Sequence, residues 1–382
     1  MTGTVRTPWP GCPQPSDEPP PARPDGRHPD GEPSDRAQRN GRATDPGDAR
    51  LRARLAEAVA AADADAPDVV LAVSRGGRRV VCSGGTAPPP DRPRERLRYE
   101  IGSATKAFTG LLLARLVQAG RLTGGEPAAS LLGGDPARTD APVTLAHLIT
   151  HTAGLPALPP GFLARALPAW HTNPYARFPD DRVVAAFLRH RPRHRPGTRW
   201  RYSNFGVAVL GHALAAATGT PWPDLTDHLL LRPLGLDDTT VRSAADDRDA
   251  TGHRADGRRL PPFDPGGFQA AGAVRATPHD LLTFLEAHLE PARSPELAAA
   301  LDAVRTPVLR RGLGHRHVHT TAWFRHPADG GPLYFHGGAT LGQQAFLGFR
   351  PDTGTALAAV CTRRFRARDP FVAGAYALLA ED

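Results

Sequence analysis

Lys106 is the only lysine among the 47 basic residues of this 382-residue chain, and it stands three residues after a serine, in Gly102-Ser103-Ala104-Thr105-Lys106. Three residues is about one helical turn, so both side chains fall on one face of the helix that the following residues predict. Ser103 then opens that helix, where free backbone N–H groups and the helix dipole favour a developing anion. Lys106 lies one turn inward, where burial lowers an amine's pKa toward that of a usable base. A hydroxyl beside such a base is an activated nucleophile. A second pair of scarce residue types, Tyr202 and Asn204 in Tyr202-Ser203-Asn204, stands just ahead of another predicted helix.

Other constellations are weaker. His147 and His151 at i, i+4 could grip a metal, but no Glu follows His147 to complete a His-Glu-x-x-His pattern, and the pair is read as structural. His315, His317 and His319 would share one face of a strand, and three imidazoles could hold zinc. In a chain with 16 histidines that spacing is ordinary, so no metal or cofactor is expected. Arg189–Arg201 carries six arginines, with His190 and His194, beside Tyr202. It reads as a solvated loop, with an anion-steering rim as the alternative. No Gly-x-Ser-x-Gly elbow occurs, which disfavours an α/β-hydrolase.

The elements that must position these residues follow from periodicity. Leu51, Leu55 and Val59 predict a helix, and two apolar runs across Gly76-Gly77 predict a hairpin over Asp68–Cys82. Residues 103–119 are apolar on all sides, the mark of a buried helix. The middle alternates helices (Leu145–Thr152, Arg182–Arg189, Asn204–Ala217, Leu225–Leu231) with Pro-rich loops. Helices continue at Pro278–Leu289 and Pro295–Val304. Strands follow at Thr320–Phe324, Leu333–His336, Gln344–Phe349 and Thr355–Thr362, then a helix over Phe371–Leu379. The pattern predicts an α+β domain over 49–382. Its sheet part spans about 49–138 and 266–382, around a helical part at about 139–265. Residues 1–48 read as a disordered tail, because the first fifty hold eleven prolines, six glycines and few large apolar residues.

The net charge is +8 with a pI near 10.2. Almost all of the basicity is arginine, which reflects composition more than an anionic partner. Aromatic residues make up 6% and form no stacking run, so a nucleic-acid-binding module is not expected. No apolar run reaches the ~18 residues of a membrane span, and the N-terminus lacks a signal-peptide core. Cys12, Cys82 and Cys361 are too few and too scattered for a disulfide framework. These features predict a cytoplasmic protein with a small-molecule substrate and neither a membrane nor a nucleic-acid partner.

In its order of motifs (Ser-x-x-Lys, Tyr-x-Asn, then a strand ending in His336-Gly337-Gly338) the chain resembles the serine β-lactamase and penicillin-binding-protein superfamily. The match is closest to the class C branch, with its many esterases and acyltransferases. It covers about residues 50–380 and extends to Leu148–Pro156, Pro196–Asn204, Arg232–Thr239 and Ala271–Leu281. The resemblance implies a serine β-lactamase/DD-peptidase-like fold, an antiparallel sheet flanked by helices with an inserted all-helical subdomain. It also implies roles. Ser103 is acylated. Lys106 and Tyr202 share proton transfer, with either as the base. Asn204 hydrogen-bonds Lys106 and the substrate, and the backbone N–H groups of Ser103 and Ala339 form an oxyanion hole. Gly337 and Gly338 leave room for substrate along the strand edge.

One departure matters. Lactam-hydrolysing and cell-wall members carry Lys-Thr-Gly at the third motif, where those residues help to hold a substrate carboxylate. With His336-Gly337-Gly338 the expectation shifts to a serine hydrolase acting on an ester, thioester or amide of a small molecule. A transacylase is the alternative. A true β-lactamase, a D-amino peptidase or a non-catalytic relative fits less well, the last because Ser103, Lys106 and Tyr202 are all present. His336 is expected to bind a carboxylate only when protonated, so that lactam turnover improves toward pH ~6.

Overall fold

Gly76 and Gly77 both take positive φ, 56° and 79°. Those are the angles of a tight hairpin turn whose twist matches its strands. The turn joins β1 (Val69–Arg75) to β2 (Arg78–Gly84), as the two apolar runs predict. In this computed structural model, which describes residues 46–381 apart from 64–65, 89, 136–140, 193, 243, 312–316 and 367–369, the hairpin forms one edge of an eight-stranded sheet. The tail expected over 1–48 falls outside the described residues up to 45. The first described helix starts at Pro46, three residues before the predicted start.

The remaining strands are β3 (Tyr99–Glu100), β4 (Thr239–Thr240), β5 (Arg275–Ala276), β6 (Pro307–Arg311), β7 (His317–Thr320), β8 (Phe324–Ala328), β9 (Gly331–Ala339), β10 (Gln344–Arg350) and β11 (Thr355–Cys361). The large sheet runs β2-β1-β11-β10-β9-β8-β7-β6, and β3-β5-β4 form a small separate ribbon. All strand pairs are antiparallel, and Val69 opposite Cys361 closes the beginning of the sheet onto its end. The fold is the mixed helix and antiparallel-sheet class that the sequence predicts, although the helical middle contributes β4 to the ribbon.

Alternation along the strands sorts side chains into two cores. Val69, Leu71, Val73, Phe346 and Leu357 join Leu55 of the Pro46–Asp63 helix and Leu379 of the Pro370–Glu381 helix on one face. Val70, Ala72, Leu347, Phe349 and Ala358 face the other way, into the core that holds the Thr105–Gln118 and Pro278–Leu289 helices. The Thr105–Gln118 helix is buried almost throughout, as its apolar circumference requires.

Some elements differ from the predicted ones. The strand expected over Thr320–Phe324 is mostly a turn between β7 and β8. Trp323 N–H donates to Thr320 Oγ1 at 2.9 Å and Thr320 N–H to the Trp323 carbonyl at 2.9 Å. A threonine hydroxyl that satisfies local backbone competes with the ladder. The helix expected over Pro295–Val304 shrinks to Ala298–Ala303. Leu225–Leu231 is split between the Trp222–Thr226 helix and a wider turn over Asp227–Leu231. β6 has no counterpart in the sequence prediction.

Candidate active site

Ser103 lies in a tight turn, Gly102–Ala104, that runs straight into the Thr105–Gln118 helix. One turn on, Lys106 Nζ–H donates to Ser103 Oγ at 3.0 Å and to the Ala271 carbonyl at 3.0 Å. Lys106 is only 2% exposed. Burial alone lowers its pKa from 10.5 to about 7. The charged form is therefore disfavoured in the folded state. Between pH ~7 and ~10.5 the unfolded chain binds a proton that the folded chain does not, so stability rises with pH through that window. Lys106→Met should raise the thermal midpoint by a few degrees at pH 6, and the gain should shrink as pH approaches 10. Equal midpoints for the two proteins at pH 6 would contradict a buried amine whose pKa is lowered by desolvation.

Tyr202 closes over the same pair. Its ring centroid is 5.0 Å from Lys106 Nζ, and the Ser103 hydroxyl beside its phenol offsets part of the rise that burial imposes on its pKa. Burial raises its pKa well above the usual value for a tyrosine, so the phenol keeps its proton. Two neighbours fix it. Ser203 Oγ accepts from Gly206 N–H at 2.8 Å, capping the Asn204–Thr218 helix, and donates to the Pro156 carbonyl at 2.6 Å. His151 Nδ1 accepts from Ser203 N–H at 3.2 Å, and its ring packs 4.5 Å from that of Tyr202. His151 has a φ of +58°, rare for a non-glycine and worth roughly 1–3 kcal/mol of strain. That conformation belongs with its place behind Tyr202, a positioning role the spacing to His147 did not disclose. His147 instead pairs with Thr144 in a capping box.

The third motif reaches this centre through two glycines. A Cβ on Gly338 would collide with the Ile101 carbonyl, and one on Gly102 with the backbone of Ala339. The end of β9 therefore packs backbone to backbone on the turn that bears Ser103, with Ala339 beside it. This corrects the expected role of the glycines. Gly338 clears the helix head rather than substrate, and the missing side chain of Gly337 points toward Val372 of the C-terminal helix. His336 is buried and holds its Nδ1–H against the Gly337 carbonyl at 2.7 Å. Burial, then the Lys106 charge, lowers its pKa to about 3. A ring whose charged form is disfavoured in this way argues against the carboxylate binding expected at pH ~6.

Asn204 also departs from expectation. Its Nδ2–H donates to the Tyr175 hydroxyl at 3.3 Å rather than engaging Lys106, and its Oδ1 is buried with no partner among the described residues. Beside Ser103 opens a cavity of about 200 Å³, lined by Ser103, Asn204, Ala339 and Thr340, by Tyr175, Phe263 and Phe268, and by Leu341. Glu100 ties two of its walls together. Its carboxylate accepts from Phe263 N–H at 2.7 Å and from the Thr340 hydroxyl at 2.5 Å. Tyr175, Phe263, Phe268, Leu341 and Glu100 carry no motif spacing, and only the tertiary structure discloses them.

The Beta-lactamase family model matches residues 50–382. The chain belongs to that family. It is 29% identical over 240 residues to the D-alanyl-D-alanine-carboxypeptidase/endopeptidase AmpH of Escherichia coli (strain K12), covering 59% of this chain and 58% of the relative. The chain thus matches under three fifths of that relative's length. To the esterase EstB of Burkholderia gladioli it is 28% identical over 279 residues, covering 62% of this chain and 70% of the relative. The class C beta-lactamase from Rhodobacter sphaeroides superposes with a TM-score of 0.70 at 22% identity, over 86% of this chain and 98% of that one. The fold is therefore class C beta-lactamase-like.

His317 and His326 approach at 3.1 Å across β7 and β8, His319 sits 4.9 Å from the Trp200 ring, and His315 lies outside the described residues. No group of three or more His, Cys, Asp or Glu among the described residues could hold a metal ion. None of the described arginines of Arg189–Arg201 lines the cavity beside Ser103. No described helix is long and apolar enough to cross a membrane.

Proposed function

We propose that this protein is a serine hydrolase that forms an acyl-enzyme on Ser103 from an uncharged ester, thioester or amide of a small molecule. The observation that carries the proposal is a fully buried Lys106 amine 3.0 Å from the Ser103 hydroxyl, with a pKa of about 7. Near neutrality much of that amine is unprotonated. With one N–H committed to the Ala271 carbonyl, its lone pair can take the Ser103 proton. Tyr202, neutral and beside Ser103, is suited to pass a proton onward rather than to act as the base. Ser103 Oγ attacks the acyl carbon. The resulting oxyanion lies between the N–H groups of Ser103 and Ala339. Tyr202 gives its proton to the leaving group as that bond breaks and regains one from Lys106. Water then resolves the acyl-Ser103 by the reverse relay.

The absence of any Lys or Arg among the described residues of the cavity lining, and the burial that disfavours a charged His336, support uncharged substrates over lactams. Losing a charged hydrogen bond to a substrate carboxylate costs about 1.5–3 kcal/mol, or roughly ten- to a hundredfold. p-Nitrophenyl acetate and butyrate should therefore exceed nitrocefin in kcat/KM at pH 7.5. Between pH 7.5 and 6 turnover of both should fall together, because Lys106 gains its proton while His336 does not. Nitrocefin turnover that rises on acidification, or that matches the esters at pH 7.5, would reclassify the enzyme as a lactamase.

A further inference from the structure

The cavity beside Ser103 has a direction. Lys106 and Tyr202, the proton-carrying pair, are absent from its lining, whereas Ser103, Asn204 and Ala339 are part of it. A leaving group must lie where Tyr202 can protonate it. The other substituent of the reacting carbon, the acyl chain, then falls on the opposite side, into the cavity. There Tyr175 meets Phe263 and Phe268 edge to face, with ring centroids 5.5 and 5.1 Å apart. Rings set in this way offer edges and faces to one more ring. No Arg, Lys, Asp or Glu among the described residues lines the cavity. At about 200 Å³ it is smaller than the roughly 300–1,000 Å³ of sites that enclose drug-sized ligands. That suits a single ring better than a fused system or a long chain.

The walls are held in place. Phe268 is fully buried, and the backbone of Phe263 is fastened to the buried Glu100 carboxylate, whose other oxygen holds Thr340 on the facing wall. Tyr175 has a second duty, since its hydroxyl accepts a hydrogen bond from the Asn204 amide at 3.3 Å.

We infer that this aromatic box is the acyl subsite of the enzyme and takes an uncharged arylacetyl-type group, with Phe263 determining specificity and Tyr175 positioning Asn204. The inference rests on the acyl-Ser103 chemistry proposed above, and its test separates the two. On the full chain, kcat/KM is measured for p-nitrophenyl acetate, butyrate, cyclohexylacetate and phenylacetate, with intact mass recorded for each. Phenylacetate should exceed acetate by about tenfold. It should exceed cyclohexylacetate, similar in shape but without a π face, by roughly two- to tenfold, the worth of one aromatic contact. Phe263→Leu should lower the phenylacetate-to-acetate ratio about fivefold. Tyr175→Phe should keep that ratio and lower kcat roughly two- to tenfold, the worth of one neutral hydrogen bond. Equal kcat/KM for phenylacetate and acetate, with Ser103 still acylated, overturns the subsite while leaving the nucleophile standing. So does a ratio unmoved by Phe263→Leu. Absence of acyl-Ser103 with every ester overturns the nucleophile, and the subsite with it.

Discussion

Ser103→Ala should lower ester turnover by roughly 10⁴- to 10⁶-fold, the range seen when a nucleophile is removed from an otherwise intact serine enzyme. It should also abolish the mass increment left by a serine-directed phosphonate. The expectation is this large because the hydroxyl stands beside both proton carriers: it accepts from Lys106 Nζ at 3.0 Å, and it acts on the pKa of the Tyr202 phenol. Removing Oγ leaves the backbone of the Gly102–Ala104 turn in place, and alanine adopts the same backbone angles. The fold should therefore survive, as an unchanged circular dichroism spectrum would report. A phosphonate adduct that maps to any of the other serines would overturn the assignment.

Lys106→Ala should reduce the rate of acylation by about 10²–10⁴. Tyr202→Phe should do similar damage, and the double variant should be little worse than either single one, because the two residues move the same proton. Lys106→Arg should be as poor as alanine, since a guanidinium does not give up its proton near neutral pH. The pH profile supplies an independent check. With the Lys106 pKa at about 7, kcat/KM should climb nearly tenfold per pH unit below that value and level off above it. No further limb from Tyr202 is expected below pH ~10, because burial holds its phenol proton on. Near-normal kcat in Lys106→Ala, or a profile flat between pH 5.5 and 8, would exclude Lys106 as the base.

The parts of this site that were legible in the sequence are the local ones. Ser103 and Lys106 are one helical turn apart, and the all-round apolar character of residues 103–119 already implies that the lysine is buried. The helix that begins at Asn204 was legible too, and it sets Tyr202 at a helix entrance, whereas Ser203 as its cap came from the structure. The hairpin at Gly76-Gly77 was legible for the same reason, because a turn of two glycines acts on its immediate neighbours. Where local signals conflicted, the prediction failed. The Thr320–Trp323 turn sits in a run whose β-branched and aromatic residues look like a strand.

The sequence by itself determined which atoms can react and in what order they occur along the chain. Helical period and capping depend on residues within about four positions of each other. The tertiary structure alone decided which partners those atoms have. Asn204 reaches Tyr175 across 29 residues instead of Lys106, and Glu100 joins Phe263 across 163 residues and Thr340 across 240. Gly338 is a glycine because the Ile101 carbonyl occupies the place of its Cβ. His336 is neutral because long-range packing removes it from water and sets it near Lys106. Burial and the pKa values that follow from it belong to the packed molecule, since desolvation is the sum of contacts that distant segments make.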